Sequence, residues 1–422
     1  MLKRHIITQI KESLALFPAV LLIGARQVGK STLAKQLIQE NILKQYVTMD
    51  ELINLTAATE DPEGFISQFS EPIALDEIQR VPGLLLAIKS AIDKNRKPGQ
   101  FLLTGSANIL AYPNVTESLA GRIDIIQLEG LSISELARND NPPTLLTELF
   151  SFKTAKELIE LWQNRRSPKS GLSKAELYRN IFFGGFPDVV LKQNTNFANR
   201  WFHAYMTSYI ERDVRDISRY VDIIGFSKLV NLIGLQTANL VNAKNLANEV
   251  NLEQRTVRRY IEILQTSFQV KELLPWHVNS RKRLLKTPKI YMNDSGFACY
   301  LAGVQDPEEL SNHPALGHLF ETWFYAELRK LLALTPMISS TFYRTHQGKE
   351  VDFVLSKGNN HCGIECKFKS SLIPKDLHGI KDFQEATSQN PVNIIFYTGD
   401  TVVQMAENII AVPIKMLQTK PL

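Results

Sequence analysis

The sequence predicts an α/β protein that begins with a doubly wound parallel sheet, continues through a helical region with a winged helix, and ends in a second α/β domain. Three observations lead to this prediction. Apolar runs of strand length alternate with helical patterns across residues 1–140, a glycine-rich loop follows the first run, and short apolar runs return near the carboxyl end. A polar, proline-rich stretch at 137–144 marks a boundary, so we expect domains at 1–140, 141–300 and 301–422.

Five apolar runs make up the predicted first sheet. They lie at residues 19–23, 45–49, 72–75, 101–104 and 124–128, with helical patterns between them. Strands separated by helices pair in parallel, and ligands of such sheets bind beyond the carboxyl ends of the strands. The loop that begins at Gly24 would lie at that edge.

The composition is that of an ordinary globular protein, but the charge is uneven. Of the 422 residues, 44% are apolar and 22% are charged. No apolar run has the length of a membrane span, no signal-peptide pattern opens the chain, and three cysteines form no disulfide framework, so we expect a cytoplasmic protein without membrane contact.

Residues 151–300 hold 23 Lys and Arg against 13 Asp and Glu, whereas residues 1–150 hold 14 against 17. A basic block favours double-stranded DNA as a partner, and a solvated basic surface is the alternative.

The loop at residues 24–31 reads G-A-R-Q-V-G-K-S, which is the pattern of a phosphate-binding loop. Its backbone N–H groups can cradle phosphates, and the helix that follows directs its positive dipole end toward them. Lys30 can reach the β- and γ-phosphates, and the Ser31 hydroxyl can ligate Mg²⁺. The sequence therefore predicts a site for ATP and Mg²⁺, formed by Gly24, Ala25, Arg26, Gln27, Val28, Gly29, Lys30, Ser31 and Thr32.

Further polar residues follow the other strands of the predicted sheet. Asp76 and Glu77 end the run at 72–75, where the first can hold Mg²⁺ and the second can orient or deprotonate the attacking water. Thr104 and Ser106 end the next run, where a hydroxyl can sense the γ-phosphate. Arg122 can stabilise transition-state charge in its own subunit or in a neighbouring one, and an ordinary surface salt bridge is equally compatible with the pattern.

The middle block contains a helix-turn-helix pattern at residues 243–276. One short apolar helix, a turn at Asn251 and a second helix precede an alternating run, which is the order of a winged helix. Arg255, Arg258 and Arg259 lie on the second helix, where DNA readers carry their contacts, although such modules also serve for packing alone. The basic stretch that includes residues 281–283, Lys286 and Lys289 would add phosphate contacts.

The last domain carries a set of acidic residues and a lysine on two predicted strands. Asp352 begins one apolar run, Glu365 and Lys367 lie on the same face of the next, and Glu321 precedes them in a predicted helix. This E…D…E-x-K layout resembles that of restriction-endonuclease-like nucleases. In such a site Asp352, Glu365 and Glu321 would hold Mg²⁺, and Lys367 would position the attacking water. A solvated strand face is the alternative, and such folds also occur as binding modules.

Several motifs together resemble one group of proteins. The stretches R-Q-V-G-K-S at 26–31, L-D-E-I-Q at 75–79, L-T-G-S at 103–106 and L-A-G-R at 119–122 resemble AAA-type ATPases of bacteria and archaea, related to STAND-type NTPases, that are fused to an uncharacterised C-terminal domain. The stretches at 209–214, 289–296 and 348–353 resemble the C-terminal part of the same group, so the resemblance covers nearly the whole chain. It implies adenine rather than guanine nucleotides. Ser31 replaces the threonine of many members, and either hydroxyl serves Mg²⁺.

The sequence thus predicts an ATP-hydrolysing switch coupled to a C-terminal domain that binds DNA and, if its acidic site is intact, cuts it. The first alternative is a nucleotide-controlled binding module without nuclease activity, whose output is a protein partner. The second is a ring-forming homo-oligomer in which Arg122 completes the site of a neighbouring subunit.

Overall fold

The computed structural model describes residues 2–106, 121–152, 154–163, 172–208, 214, 221–277, 287–387 and 392–418. The chain divides into two compact units. The N-terminal unit comprises Lys3–Gly130 together with Ile263–Gln269, and the C-terminal unit comprises Met1–Leu2, Leu131–Glu262 and Val270–Leu422. The division into three domains at residues 140 and 300 stays a prediction.

The N-terminal unit is built on a five-stranded parallel sheet in the order β2-β3-β4-β1-β5. Strand β1, which lies between β4 and β5, reads A-V-L-L-I, and all five residues are buried, as expected of a strand covered by helices on both faces. The strands are β1 Ala19–Ile23, β2 Gln45–Thr48, β3 Ile73–Asp76, β4 Phe101–Gly105 and β5 Ile123–Gln127. The predicted parallel sheet is confirmed, with each strand boundary within one residue of the expected one.

Helices connect these strands and cover the sheet. The first helix precedes β1 and buries Ile7, Ile10 and Leu14 at helical spacing. The helices of this unit are α1 Ile7–Leu16, α2 Lys30–Gln39, α3 Leu52–Glu60, α4 Pro62–Ser67 and α5 Leu84–Lys94. Because β1 leads directly into the loop at Gly24 and then α2, the phosphate-loop motif lies at the carboxyl edge of the sheet.

The C-terminal unit begins with helices. They are α6 Ile133–Leu136, α7 Leu145–Leu149, α8 Ala155–Gln163, α9 Lys174–Phe183, α10 Pro187–Lys192, α11 Thr195–Ser208 and α12 Ile223–Leu235. Gly184 ends α9 with a φ of 64°, and the next amide, of Gly185, donates to the buried Asp294 carboxylate at 2.7 Å. Asp294 also caps α15 (Ser295–Leu301) by accepting from the Phe297 amide at 3.0 Å, so the turn at residues 184–187 is tied to the start of that helix.

A small antiparallel sheet lies in the next stretch of the chain. Strand β6 (Asn239–Leu240) is followed by α13 (Ala243–Val250) and α14 (Gln254–Thr266), and then by β7 (Val270–Leu273) and β8 (Lys289–Met292). The three strands pair in the order β6-β8-β7. Asn251 ends α13 in the left-handed conformation with a φ of 55°, which places the expected turn between the two helices.

The chain ends in a six-stranded mixed sheet in the order β13-β14-β12-β11-β10-β9. Strands β9, β10 and β11 pair antiparallel, and β11, β12 and β14 pair in parallel. The elements are α16 Leu316–Ala333, β9 Ser339–Arg344, β10 Glu350–Lys357, β11 Asn360–Lys367, α17 His378–Ala386, β12 Asn393–Tyr397, β13 Val403–Ala406 and β14 Ile409–Pro413. Val351, Ile380, Phe383 and Ile395 form the centre of one buried core cluster.

Apolar runs at residues 342–343, 351–355, 363–367 and 392–397 predict β9, β10, β11 and β12, and the structure adds β13 and β14. The sequence analysis missed β13 and β14 because Gln404 interrupts the first and a Glu-Asn turn separates them, which weakens the apolar pattern. None of the helices among the described residues has both the length and the apolar character to cross a membrane.

Candidate functional site

The phosphate-loop motif adopts a backbone that only its glycines allow. Gly24 has a φ of 155°, and a Cβ atom there would lie 2.3 Å from the carbonyl oxygen of Leu128. Gly29 has a φ of 100° and stands at the amino end of α2. The loop therefore turns sharply between β1 and α2 and aims the first amides of α2 at the space beyond the sheet.

Lys30 is buried and turns back onto its own loop. Its ammonium donates to the carbonyl oxygens of Gly24 and Ala25, both at 2.9 Å. Arg4, from the segment before α1, donates to the carbonyl of Val28 at 3.0 Å and to that of Glu129 at 2.6 Å. The sequence analysis missed Arg4, which ties the loop to the end of β5 and so fixes its position.

Asp76 ends β3 and is held by two hydroxyl groups. Tyr46 donates to one carboxylate oxygen and Thr104 donates to the other. The Tyr46 oxygen also accepts a hydrogen bond from Ser31. Burial and the Asp76 carboxylate raise the pKa of Tyr46, which stays a neutral hydroxyl. Tyr46, which the sequence analysis also missed, thus links the two residues predicted to hold Mg²⁺.

Glu77 follows immediately and has a left-handed backbone with a φ of 58°. This conformation is uncommon for a residue with a Cβ atom and is concentrated at functional sites. Its carboxylate accepts a hydrogen bond from Ser106 at 3.1 Å and another from Gln79, which also donates to Ser106 at 2.9 Å. The predicted residues Asp76, Glu77, Thr104 and Ser106 therefore lie together at one edge of the sheet.

These groups fit a hydrated Mg²⁺ ion. Ser31 and Asp76 supply hydroxyl and carboxylate oxygens, which are the donors Mg²⁺ prefers, and a single phenol contacts both. Ser31 and Asp76 would hold the ion when nucleotide is bound.

Arg122 lies at the other end of the same sheet. It directly precedes β5, and Ala19 at the start of β1 pairs with the following residue, Ile123. Its guanidinium forms two hydrogen bonds with Asp93, at 2.6 and 3.1 Å. The structure therefore does not bring Arg122 to the phosphate-loop site of its own subunit, and a role in a neighbouring subunit stays a prediction. Leu119 and Ala120 lie outside the described residues.

The predicted acidic set of the last domain does come together on β10 and β11. Lys367 pairs with Glu365 on the same strand and lies 3.9 Å from Asp352. Asp352 also accepts from the Cys366 amide at 2.9 Å. Burial opposes the ionisation of Asp352, but the Lys367 and Lys289 charges and this amide outweigh it and lower its pKa. Burial and the Asp352 charge raise the pKa of Glu365 well above its usual range.

Glu321 joins this set through a lysine that the sequence analysis assigned elsewhere. Lys289 on β8 donates to Glu321 at 2.8 Å and also pairs with Glu350, and Tyr291 donates to the same Glu321 oxygen at 2.7 Å. Burial and the Asp352 charge raise the pKa of Glu321 to about 7. Across the part of the chain that the structure describes, no three His, Cys, Asp or Glu side chains form a group arranged to hold a metal ion. As arranged, the set is neutralised by lysines and does not fit a divalent metal.

The basic residues of the middle block divide into two kinds. Arg255, Arg258 and Arg259 are exposed on α14, as a DNA-contacting helix requires. Lys289 has a side chain only 3% exposed, so the expectation that it contacts phosphate was wrong, because two carboxylates hold it in the interior. Residues 281–283 and Lys286 lie outside the described residues, as does most of the motif at 209–214.

Comparison with known families assigns the two ends of the chain. The profile described as an AAA domain matches residues 16–137, which include the loop, Asp76 and Glu77. The N-terminal domain is an AAA-type P-loop ATPase domain. Two profiles described as domains of unknown function match the rest, DUF8612 at residues 174–308 and DUF4143 at residues 316–417. The ATPase domain supports nucleotide binding, and the mixed sheet at the carboxyl end falls within the DUF4143 match.

Relatives that match this chain over most of their own length occur in distant organisms. The uncharacterised protein Rv2008c of Mycobacterium tuberculosis is 26% identical over 419 residues, which cover 99% of this chain and 85% of the relative. The uncharacterised protein MJ1544 of Methanocaldococcus jannaschii is 22% identical over 390 residues, which cover 86% and 77%. Among solved structures, a RuvB variant of Thermotoga maritima matches with 17% identity over 63% of this chain and 88% of its own, at a TM-score of 0.28. Protein VC1899 of Vibrio cholerae matches with 10% identity over 91% and 90%, at a TM-score of 0.18.

Proposed function

We propose that this chain is an ATP-binding and ATP-hydrolysing switch. The observation that carries the proposal is the convergence of Lys30, Ser31, Asp76 and Glu77 at one edge of the sheet, linked by Tyr46, Thr104 and Ser106. A loop of inward amides, a buried ammonium and two adjacent carboxylates are what phosphoryl transfer to water requires.

Each residue has a distinct task in this proposal. Lys30, now held by two neutral carbonyl groups, would turn to the β- and γ-phosphates as they enter the loop. Glu77 would accept the proton of the attacking water, and Ser106 and Gln79 fix the direction of its carboxylate. When bound, Mg²⁺ would offset the negative charge that develops on the phosphate oxygens.

The ATPase proposal is tested by two substitutions that separate binding from hydrolysis. Lys30→Ala should abolish binding of a fluorescent ATP analogue, whereas Glu77→Gln should retain binding and lower kcat by a factor on the order of 10²–10⁴, because only the general base is lost. Lys94→Ala, at an exposed position of α5, is the control. Hydrolysis by Glu77→Gln at the wild-type rate would reject the role of Glu77, and ATP binding by Lys30→Ala at wild-type affinity would reject the site.

For the output of the switch, we propose DNA binding through α14. Three exposed arginines on this helix support the proposal, as does the order of elements from α12 through β6, α13 and α14 to β7 and β8, which is that of a winged helix. The net positive charge of residues 151–300 is in keeping with a phosphate partner.

The DNA proposal is tested by charge reversal on two surfaces. Arg255→Glu with Arg258→Glu should weaken binding to duplex DNA and reduce its dependence on salt, because each lost phosphate contact lowers the salt slope by about one. Lys174→Glu with Arg200→Glu makes the same charge change on exposed positions of α9 and α11 and should have little effect. An equal loss of DNA affinity in both double variants would mean that only the net charge of the protein matters. Unchanged DNA affinity in the variant of Arg255 and Arg258 would show that α14 is not part of the interface.

A second candidate function is Mg²⁺-dependent DNA cleavage by the last domain. The observation in its favour is that Asp352, Glu365 and Lys367 lie side by side on β10 and β11. The lysine pairing of these carboxylates is against it. Plasmid nicking that needs Mg²⁺ or Mn²⁺ and is lost in Lys367→Ala would establish the nuclease. Intact plasmid under every nucleotide condition, with ATP still hydrolysed, would leave a binding module.

A further inference from the structure

Lys289 is paired with Glu321 of the acidic set of the last domain and with the neighbouring Glu350. It lies on β8, outside the E…D…E-x-K layout, and its side chain is 3% exposed. Its ammonium lies 2.8 Å from a carboxylate oxygen of Glu321 on α16 and pairs with Glu350 on β10. The face of the Phe342 ring lies 5.7 Å away and closes another side of the ammonium. The ammonium of Lys289 thus places a full positive charge between the carboxylate of α16 and the carboxylate of β10.

The remaining carboxylates of the set also have donors in contact. Lys367 pairs with Glu365 and lies 3.9 Å from Asp352, which also accepts from the Cys366 amide. The other oxygen of Glu365 faces Gly379 on α17, where a Cβ atom would come within 2.8 Å of it. Both sides of Glu365 are therefore covered, one by an ammonium and one by a helix at close approach.

A divalent ion would compete with these ammonium groups for the same oxygens. Mg²⁺ binds carboxylate oxygens at about 2.0–2.1 Å and demands near-ideal octahedral geometry. Glu321 Oε1 already accepts from both Lys289 and Tyr291. An ion placed on that oxygen would also lie within a few ångströms of a buried ammonium, and like charges in a poorly solvated site repel strongly.

We propose that Lys289 is the resident cation of this carboxylate set, that its ammonium takes the place of a divalent metal ion, and that it excludes Mg²⁺ and Mn²⁺ from the set. The proposal concerns the second candidate function and predicts that the wild-type set does not use metal. It is independent of the ATPase and of DNA binding through α14, and its test reads metal binding rather than cleavage.

The test uses the full chain without nucleotide, carrying Asp76→Asn to remove the metal ligand of the ATPase domain. Mn²⁺ binding is followed by electron paramagnetic resonance and by the melting temperature. We expect no Mn²⁺ site in the acidic set of this parent protein. Lys289→Met should gain a Mn²⁺ site, at least about tenfold tighter than any binding by the parent, and Mn²⁺ should raise its melting temperature because the ion stabilises the folded state. Adding Asp352→Asn to Lys289→Met should abolish both effects.

Two further variants keep the outcome decisive. Lys289→Arg retains the positive charge and should bind no Mn²⁺, and Lys349→Met, which removes a surface ammonium paired with Asp382 in the same domain, should also bind none. A Mn²⁺ site in the parent that is lost in Asp352→Asn would overturn the proposal, whatever the plasmid assay shows. A folded Lys289→Met variant that gains no Mn²⁺ site would overturn it as well. If Lys289→Met does not fold, the comparison of the parent with Asp352→Asn decides alone.

Discussion

Removing one hydroxyl group from Tyr46 should weaken the use of Mg²⁺ without removing the nucleotide site. The Tyr46 phenol is hydrogen-bonded to Asp76 and to Ser31, the two residues that would hold the ion. Tyr46→Phe keeps the ring and its contact with Lys35, whose ammonium lies 5.0 Å from the ring centre, so the change removes only the hydrogen bonds of the phenol, which involve Asp76, Ser31 and Thr48.

The size of the effect follows from what remains around Asp76. A hydrogen bond to a charged group contributes about 1.5–3 kcal/mol, and loss of a group that orients a metal ligand lowers metal affinity by about 10–100-fold. Thr104 still holds the second carboxylate oxygen of Asp76 after the change. We therefore expect an effect at the low end of the range of about 10–100-fold. The Mg²⁺ concentration for half-maximal ATPase rate should rise about tenfold, which corresponds to about 1.4 kcal/mol.

The assay is an Mg²⁺ titration of the ATPase rate at constant ATP, together with ATP-analogue binding in EDTA. Binding in EDTA should stay the same, because the phosphate loop is untouched. Tyr300→Phe, which removes a phenol that is hydrogen-bonded to His203 in the C-terminal unit, is the control and should titrate as wild type. An unchanged Mg²⁺ requirement would refute the positioning role of Tyr46. A lower requirement would show that the phenol blocks the ion instead.

Three more substitutions test the fold around the two sites. Gly24→Ala should abolish ATP binding and lower thermal stability, because its Cβ atom would meet the Leu128 carbonyl at 2.3 Å, and a binding assay with circular dichroism melting checks this. Asp294→Ala should destabilise the chain by about 2 kcal/mol in urea unfolding, because the buried Gly185 amide loses its acceptor. Burial raises the pKa of Asp294. The contribution of Asp294 to the free energy of unfolding is therefore full at pH values below the ordinary pKa of Asp, and it falls as the pH rises through the raised pKa of the folded state. The urea midpoint of wild type relative to Asp294→Ala should fall over that window. Arg122→Ala should leave both the melting temperature and the ATPase rate of the monomer nearly unchanged, because its ion pair with Asp93 is solvent-accessible and such pairs contribute little.

The N-terminal sheet was predictable because its signals are local. Strands β1, β3 and β4 are mainly apolar runs of four or five residues, and the glycine loop and the acidic end of β3 carry chemistry that sequence spacing reveals. The role of Tyr46 was not predictable in this way. It depends on β2 lying beside β3 in a register that pairs Tyr46 with Ala74 and Thr48 with Asp76, so that Tyr46 and Asp76 share a face. Strand order is a property of the whole sheet, and no local pattern encodes it.

The position of Lys289 shows a second limit of local patterns. In the sequence it follows a run of basic residues and a proline, which is typical of a solvated segment. In the structure Lys289 begins β8. The sheet order β6-β8-β7 places that strand at the centre of its sheet, where β6 and β7 pair with its two edges. A charged residue is almost never fully buried without partners, but the partners of Lys289 come from 32 and more positions away in the chain.

Among the described residues two lysines are buried, Lys30 and Lys289, and different oxygens accept their hydrogen bonds. Lys30 donates to two carbonyl oxygens, which are neutral, and a polyphosphate that enters the loop offers its ammonium charged oxygens in their place. Lys289 is held by two carboxylates in a buried setting, and separating it from them would leave uncompensated charges on both sides. We expect a polyphosphate to replace the carbonyl contacts of Lys30, whereas the carboxylate contacts of Lys289 persist. On these grounds we expect nucleotide to act at the phosphate loop and the acidic set of the last domain to have a fixed structural role.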